Sequence, residues 1–197
     1  MNPLFNYILI INREQAGQTL FLKAVAKQWA RQKRLRGLLL HEDNPRTELI
    51  IQQGVPRAEA SRQVAREINH RIVDLLAEAG LAAVGLHLEK IARFSDMEIK
   101  LDQKMIAKVP TGAHIVVSKV VPAGTTETNL YHLATEMAKQ LHVPTIIQLE
   151  HLNLQGVFVE KSAEPLSEKL DSTTSESGNL ITWSIKEWEQ AEELLKF

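Results

Sequence analysis

Between Asn129 and Phe158 the hydrophobic period of the chain changes in a way that restricts it to helix-on-sheet packing. Leu130, Leu133, Ala134, Met137, Ala138 and Leu141 fall on one face of a helix, and Val143-Pro144 ends it. Thr145-Ile146-Ile147-Gln148-Leu149 then continues as a short apolar run. The spacing predicts a helix docked on a strand covered on both faces, as strands of parallel sheets are. A polar loop, Glu150 to Gln155, leads to a second short strand over Gly156-Val157-Phe158-Val159.

The same alternation runs through the rest of the chain. Ile8 to Ile11 and Gly37 to Leu40, the latter ending in His41, read as buried strands, as do Ala82 to Leu86 and Gly112 to Ser118. Helices are predicted over Thr19 to Arg34, over Thr47 to Gln53 with Gly54 as its stop, and over Arg57 to Glu78 with Gly80 as its stop. Val64, Ile68, Ile72, Val73 and Leu76 mark the buried side of the third. The basic end of the first, Arg31, Lys33 and Arg34, suits a solvated helix C-terminus. Gly85 and Gly124 read as turn residues. From His87 to Pro110 the pattern is mixed, and a polar excursion followed by a short helix near Leu101 to Lys108 is expected. Residues 160 to 179, rich in Ser, Thr and Glu, predict a mobile surface loop. Leu180 to Trp183 follow as an edge strand, and Ser184 with Glu187 as the capping box of a last helix whose apolar stripe is Ile185, Trp188, Ala191 and Leu195. Strand and helix units in alternation predict an α/β protein, a three-layer αβα sandwich with a mainly parallel central sheet, in one domain over residues 1–197.

Composition narrows the function classes. The formal net charge of -1 offers no long-range attraction to nucleic acid or to an anionic membrane, and neither partner is expected. The absence of cysteine excludes disulfides, thiolate metal sites and a cysteine nucleophile. No signal segment is read at the N-terminus, and the run Ile8 to Ile11 is too short to span a bilayer, so a cytoplasmic location is expected. The seven histidines, at 41, 70, 87, 114, 132, 142 and 151, show no metal-ligand spacing, and each reads as a surface or packing residue.

Three stretches carry a family resemblance. Asn129 opens a helix followed by a strand and Gly156-Val157-Phe158. Ile68-Asn69, Ile72 to Leu76, Gly80 and Ala83-Val84-Gly85-Leu86 follow one another in order. His41 and Pro45 bracket the turn after the second strand. In these the chain resembles the amino acid kinase superfamily, and acetylglutamate kinases in particular, over residues 1–159. The resemblance implies an amino-acid-kinase-like fold and, in active members, transfer of phosphate from ATP with magnesium. It also marks what differs. Where the family has Lys-Gly-Gly after the first strand, this chain has Asn12-Arg13-Glu14-Gln15-Ala16-Gly17. Where it has His, three glycines and Pro, the gap holds Glu42-Asp43-Asn44. Where it has Asn-Ala-Asp, Leu130 and Tyr131 follow Asn129. The family's later nucleotide-binding region, with its Gly-Met and further Lys, finds no counterpart before Phe197.

Backbone N–H groups and ammonium groups that hold a phosphoryl group are most of the catalysis in such chemistry, so their replacement by carboxylates predicts a domain without phosphotransfer and without a cofactor. Glu42 and Asp43 also suit an acidic first turn for the next helix. Such a domain is expected to act by binding a small molecule or by assembly, as a homo-oligomer. A surviving pocket is expected around Asn12, Arg13, His41, Asn44, His87, Lys119, Asn129 and Tyr131, and the resemblance places the loop Lys119 to Thr128 along it. One alternative is a divergent amino acid kinase in which Arg13 and Lys119 replace the missing lysines, with ATP and magnesium as its nucleotide and metal. Another is a structural oligomer anchored by Trp29, Trp183 and Trp188, whose simpler role is core packing.

Overall fold

The computed structural model describes residues 4–32, 35–95, 98–121, 128–149 and 179–183. Among these residues six parallel strands form the central sheet. They are β1 (Tyr7–Ile11), β2 (Gly37–His41), β3 (Ala83–His87), β6 (His114–Ser118), β7 (Thr145–Leu149) and β8 (Asn179–Trp183), in the order β3-β6-β2-β1-β7-β8. All five residues of β1, β2 and β6 are buried, as their unbroken apolar runs predict.

Successive residues of a strand face opposite sides, so each strand feeds two cores. Tyr7, Leu9, Ile11, Leu39, Val116 and Ile147 face one layer of helices. That layer consists of α2 (Thr19–Trp29), α3 (Arg46–Gln52) and the long α4 (Arg57–Glu78), with Phe21, Leu22, Val25 and Trp29 against Val64, Ile68, Ile72 and Leu76. Ile8, Ile10, Leu38, Leu40, Ile115, Val117 and Ile146 face the other layer, where α7 (Leu130–Leu141) contributes Leu133, Ala134, Met137 and Leu141. The result is the expected αβα sandwich. Gly54 and Gly80 stop α3 and α4 at φ of 91° and 83°, a region that costs glycine little.

Several expectations are corrected. Helix α2 ends at Trp29 rather than Arg34, because Arg31 and Gln32 bond back three residues and tuck Gln32 into the core, where it accepts from the Tyr7 hydroxyl at 3.2 Å. Trp29 is fully buried, so it packs the core and anchors no assembly. Gly85 is no turn residue but the middle of β3. The polar excursion is a one-turn helix, α5 (Leu88–Ile91), and an antiparallel hairpin of β4 (Ala92–Ser95) and β5 (Glu98–Leu101). Its period of two buries Ile99 and Leu101 while Glu98 and Lys100 face out, and Gln140 of α7 holds it by accepting from Leu101 N–H and donating to the Ile99 carbonyl. Helix α6 covers Gln103–Ala107, capped by Asp102. Strand β6 begins at His114, two residues after the predicted start. Strand β8 sits at the sheet edge beside β7, and Asn179 belongs to it rather than to the loop. The strand expected at 156–159, residues 160–178 of the expected loop, Gly124, and the helix expected after Ser184 lie outside the described residues.

Candidate functional site

Open parallel sheets offer ligands the ends of their strands, and the carboxyl edge is where six of the eight predicted site residues fall, with Asn129 and Tyr131 at the start of α7. After β1 the chain turns at once into the four-residue helix α1 (Arg13–Ala16). Asn12 caps it: its Oδ1 accepts from Gln15 N–H at 3.0 Å, while Asn12 N–H donates to Gln15 Oε1 at 3.1 Å. Ala16 and Gly17 N–H bond to Asn12 and Glu14 carbonyls. Gln15, itself buried, donates Nε2 to the Leu149 carbonyl at 2.6 Å and closes the turn onto the end of β7. The N–H groups of Asn12, Gln15, Ala16 and Gly17 in this turn are therefore spent within the protein.

The turn after β2 brings carboxylates to the two predicted cations. Lys119, the residue after β6, pairs with Glu42 at 2.8 Å, with 11% and 25% of their side chains exposed. Arg13 bonds Glu48 of α3 at 2.8 Å, reaches the Asn44 carbonyl at 3.5 Å, and has Nε 3.2 Å from Asp43 Oδ1. That bond to Glu48, outweighing desolvation, holds Arg13 above its ordinary pKa, and it holds the Glu48 carboxyl below its own. Asp43 also accepts from Thr47 Oγ1, in keeping with an acidic start to α3. Glu42 turns away to Lys119, a partner 77 residues on. Asn44 accepts from Arg46 N–H. Both predicted cations therefore already face carboxylates.

A third group lies under α4. His87, Ser118 and His41 occupy one row across β3, β6 and β2. His87 Nδ1 is 2.6 Å from Ser118 Oγ. His41 Nδ1 is 2.8 Å from the Glu42 carbonyl, which fixes its proton there and leaves Nε2 to accept from Asn69 at 3.4 Å. Asn69 descends from α4, and its two Nδ2 hydrogens are shared between this contact at 3.4 Å and the shorter ones to the Leu86 and Val116 carbonyls, both at 3.1 Å. Burial pushes the His41 pKa down to about 4, with a smaller contribution from nearby His87, whose own pKa is lowered by burial and by Arg66. Both rings are neutral near pH 7. Glu89 lies 3.4 Å from Arg62 and 3.9 Å from Arg66 of α4.

The structure thus brings together Asn12, Arg13 and Asn44 in one group and His41, His87 and Lys119 in another. Register of Ile11 with His41 and a bond from Glu42 N–H to the Ile11 carbonyl join the two. Asn129 serves as the N-cap of α7, accepting from Tyr131 N–H at 2.7 Å, and Tyr131 is exposed. No hydrogen bond or ion pair among the described residues ties either to the other six. Residues 122–127 of the predicted pocket loop are outside the description. Sequence reasoning missed Asn69, Ser118 and Gln15 as parts of the edge. Asn69 had a signal, a polar residue on an otherwise apolar helix face. Among the described residues no group of three or more His, Asp or Glu could hold a metal ion, and no helix is long and apolar enough to cross a membrane.

No protein-family model and no curated protein matches the sequence. Solved structures do match the fold. An aspartate kinase from Synechocystis aligns with a TM-score of 0.60 at 13% identity, over 73% of this chain and 28% of its own. An isopentenyl phosphate kinase from T. acidophilum, in a product complex, aligns with a TM-score of 0.64 at 11% identity, over 95% of this chain and 94% of its own. A further isopentenyl phosphate kinase aligns at 0.54 and 13%, over 72% and 70%. The chain spans about a quarter of the aspartate kinase's length. Both kinds of enzyme belong to the amino acid kinase superfamily, and this chain has that fold.

Proposed function

We propose that this chain uses the amino acid kinase fold without phosphotransfer, as a domain that binds a small molecule or assembles with copies of itself. One observation carries the reading: Lys119 and Arg13, the cations that would have to replace the family's lysines, are matched by Glu42 and by Asp43 with Glu48. A phosphoryl group entering there would meet carboxylates and would have to displace existing ion pairs. The capped turn of α1 supports the same reading, because the N–H groups of Asn12, Gln15, Ala16 and Gly17 already have acceptors. The neutral row of His41, Asn69 and His87 suits an uncharged, hydrogen-bonding ligand better than an anionic one.

The test is incubation of the purified protein with ATP, magnesium and a panel of amino acids and N-acyl amino acids. No ADP release and no thermal shift with nucleotide are expected. Steady phosphorylation of any acceptor would overturn the proposal and make the divergent-kinase alternative the reading to pursue. A metabolite screen follows, in which a ligand at about 100 times its Kd adds about 2.7 kcal/mol. Sedimentation at high micromolar concentration decides between the two modes, since a monomer there removes the assembly role.

A further inference from the structure

We propose that the outer edge of β4 is a docking site for an extended, acidic segment of a partner protein, which joins the hairpin of β4 and β5 as a third strand. The fold treats the two edges of that hairpin differently. On the β5 side, Gln140 accepts from Leu101 N–H and donates to the Ile99 carbonyl, so both groups point away from β4. In an antiparallel pair, residues directly opposite such outward groups turn theirs outward too. Phe94 faces Ile99 and Ala92 faces Leu101, so Phe94 N–H, its carbonyl and the Ala92 carbonyl lie along the other side of β4. Ala92 N–H bonds the Leu88 carbonyl, whereas those three groups have no hydrogen-bond partner among the described residues. One donor and two acceptors at strand spacing are what an added strand pairs with, and only the β5 side is covered.

Charge decides the kind of strand. Arg93 and Lys100 stand directly opposite each other on the exposed face of the hairpin, where like charges repel. Neither has an ion pair among the described residues. The nearby carboxylates are engaged: Glu89 by Arg62 and Arg66, and Asp102 by the first N–H groups of α6. Glu98 shares the exposed face one pair along, opposite Ser95, and bonds neither cation. Carboxylates on an added strand would meet Arg93 directly and lessen its repulsion with Lys100. Alternate residues of that strand would fall on the opposite face beside Phe94, which packs against the core under α7, and there apolar side chains fit. Pairing with the edge uses peptide groups, which a nucleic acid lacks. No residue of the carboxyl-edge groups takes part, so the inference stands apart from the reading of that edge.

The test is titration of the full chain with an end-blocked heptapeptide of alternating valine and glutamate, followed by amide chemical shifts and hydrogen exchange. Saturable binding is expected, with slowed exchange at the Phe94 amide and no change at Leu101, whose N–H already bonds Gln140. The matching valine-lysine peptide, and a valine-glutamate peptide with proline at its centre, should bind about tenfold more weakly or worse. Arg93→Glu with Lys100→Glu keeps a like-charged pair, so circular dichroism should be unchanged while the preference reverses to the lysine peptide. The proposal is overturned by lack of saturation, by a Phe94 amide that exchanges as fast with the peptide as without it, or by equal binding of the lysine or the proline peptide. An unreversed preference in the folded double variant, or a single-stranded oligonucleotide that binds more tightly than the glutamate peptide, overturns it as well.

Discussion

Asn69 Oδ1 stands where a side chain on Gly85 would begin: a Cβ at that position would overlap it. Helix α4 therefore seats on β3 only because residue 85 has no side chain, and that close approach lets the Asn69 amide reach two carbonyls of β3 and β6. Gly85→Ala must expel the amide and is expected to cost about 2–4 kcal/mol in urea unfolding, from overpacking plus lost buried bonds. Gly112→Ala, with nothing within 4 Å of its added methyl, should stay within about 0.5 kcal/mol. In an Asn69→Ala background the Gly85→Ala cost should shrink, and strict additivity of the two would show that no such contact exists.

Stability should fall on acidification earlier than carboxylates alone require. His41 and His114 have folded pKa values of about 4, lowered chiefly by burial, and His87 is lowered too. The unfolded chain then binds more protons between those values and about 6.5, so stability is full above about pH 6.5 and is lost as pH falls to about 4. A fully buried imidazole such as His41 contributes on the order of 3 kcal/mol over that window. His41→Gln, which keeps an acceptor for Asn69 without titrating, should flatten the slope between pH 7.5 and 5. An unchanged slope would mean His41 is not the group concerned.

Gln15 holds the first turn of the edge together. Gln15→Ala removes both the capping box and the buried bond to Leu149, and should cost about 1–3 kcal/mol. Gln15→Glu should be worse, because it sets a carboxylate against the Leu149 carbonyl in a buried place. Denaturant midpoints in that order check the assignment, and a neutral Gln15→Ala would refute it.

Glu42 and Lys119 form a partly buried pair, so Glu42→Gln and Lys119→Met should be non-additive by about 1 kcal/mol in a double-mutant cycle. The variant Glu42→Gln with Asp43→Asn frees Lys119 and relieves Arg13 of one partner. It should bind pyrophosphate measurably more tightly than the natural chain. Failure to do so would show that these carboxylates are not what keeps an anion out.

Much of the frame was legible because local periodicity and burial agree. Helix α4 begins and ends where the apolar stripe and Gly80 place it, β1 and β2 follow their unbroken apolar runs, and Asn129 caps α7 as its position ahead of that stripe suggests. The hairpin of β4 and β5 was missed because its alternation spans only four residues a strand, flanked by one-turn helices. Gly85 was misread because a lone glycine has the same letter in a turn and under a close contact.

The sequence by itself determined the strands β1, β2 and β7, the helices α4 and α7 and which charges stand near strand ends, since those follow from neighbours a few residues apart. Only the tertiary structure decided what those charges meet. Strand order sets β2 beside β6, and that places Glu42 on Lys119 from 77 residues away and His41 under Asn69 from 28. Pairing across such separations depends on how the sheet is wound, which no local pattern encodes.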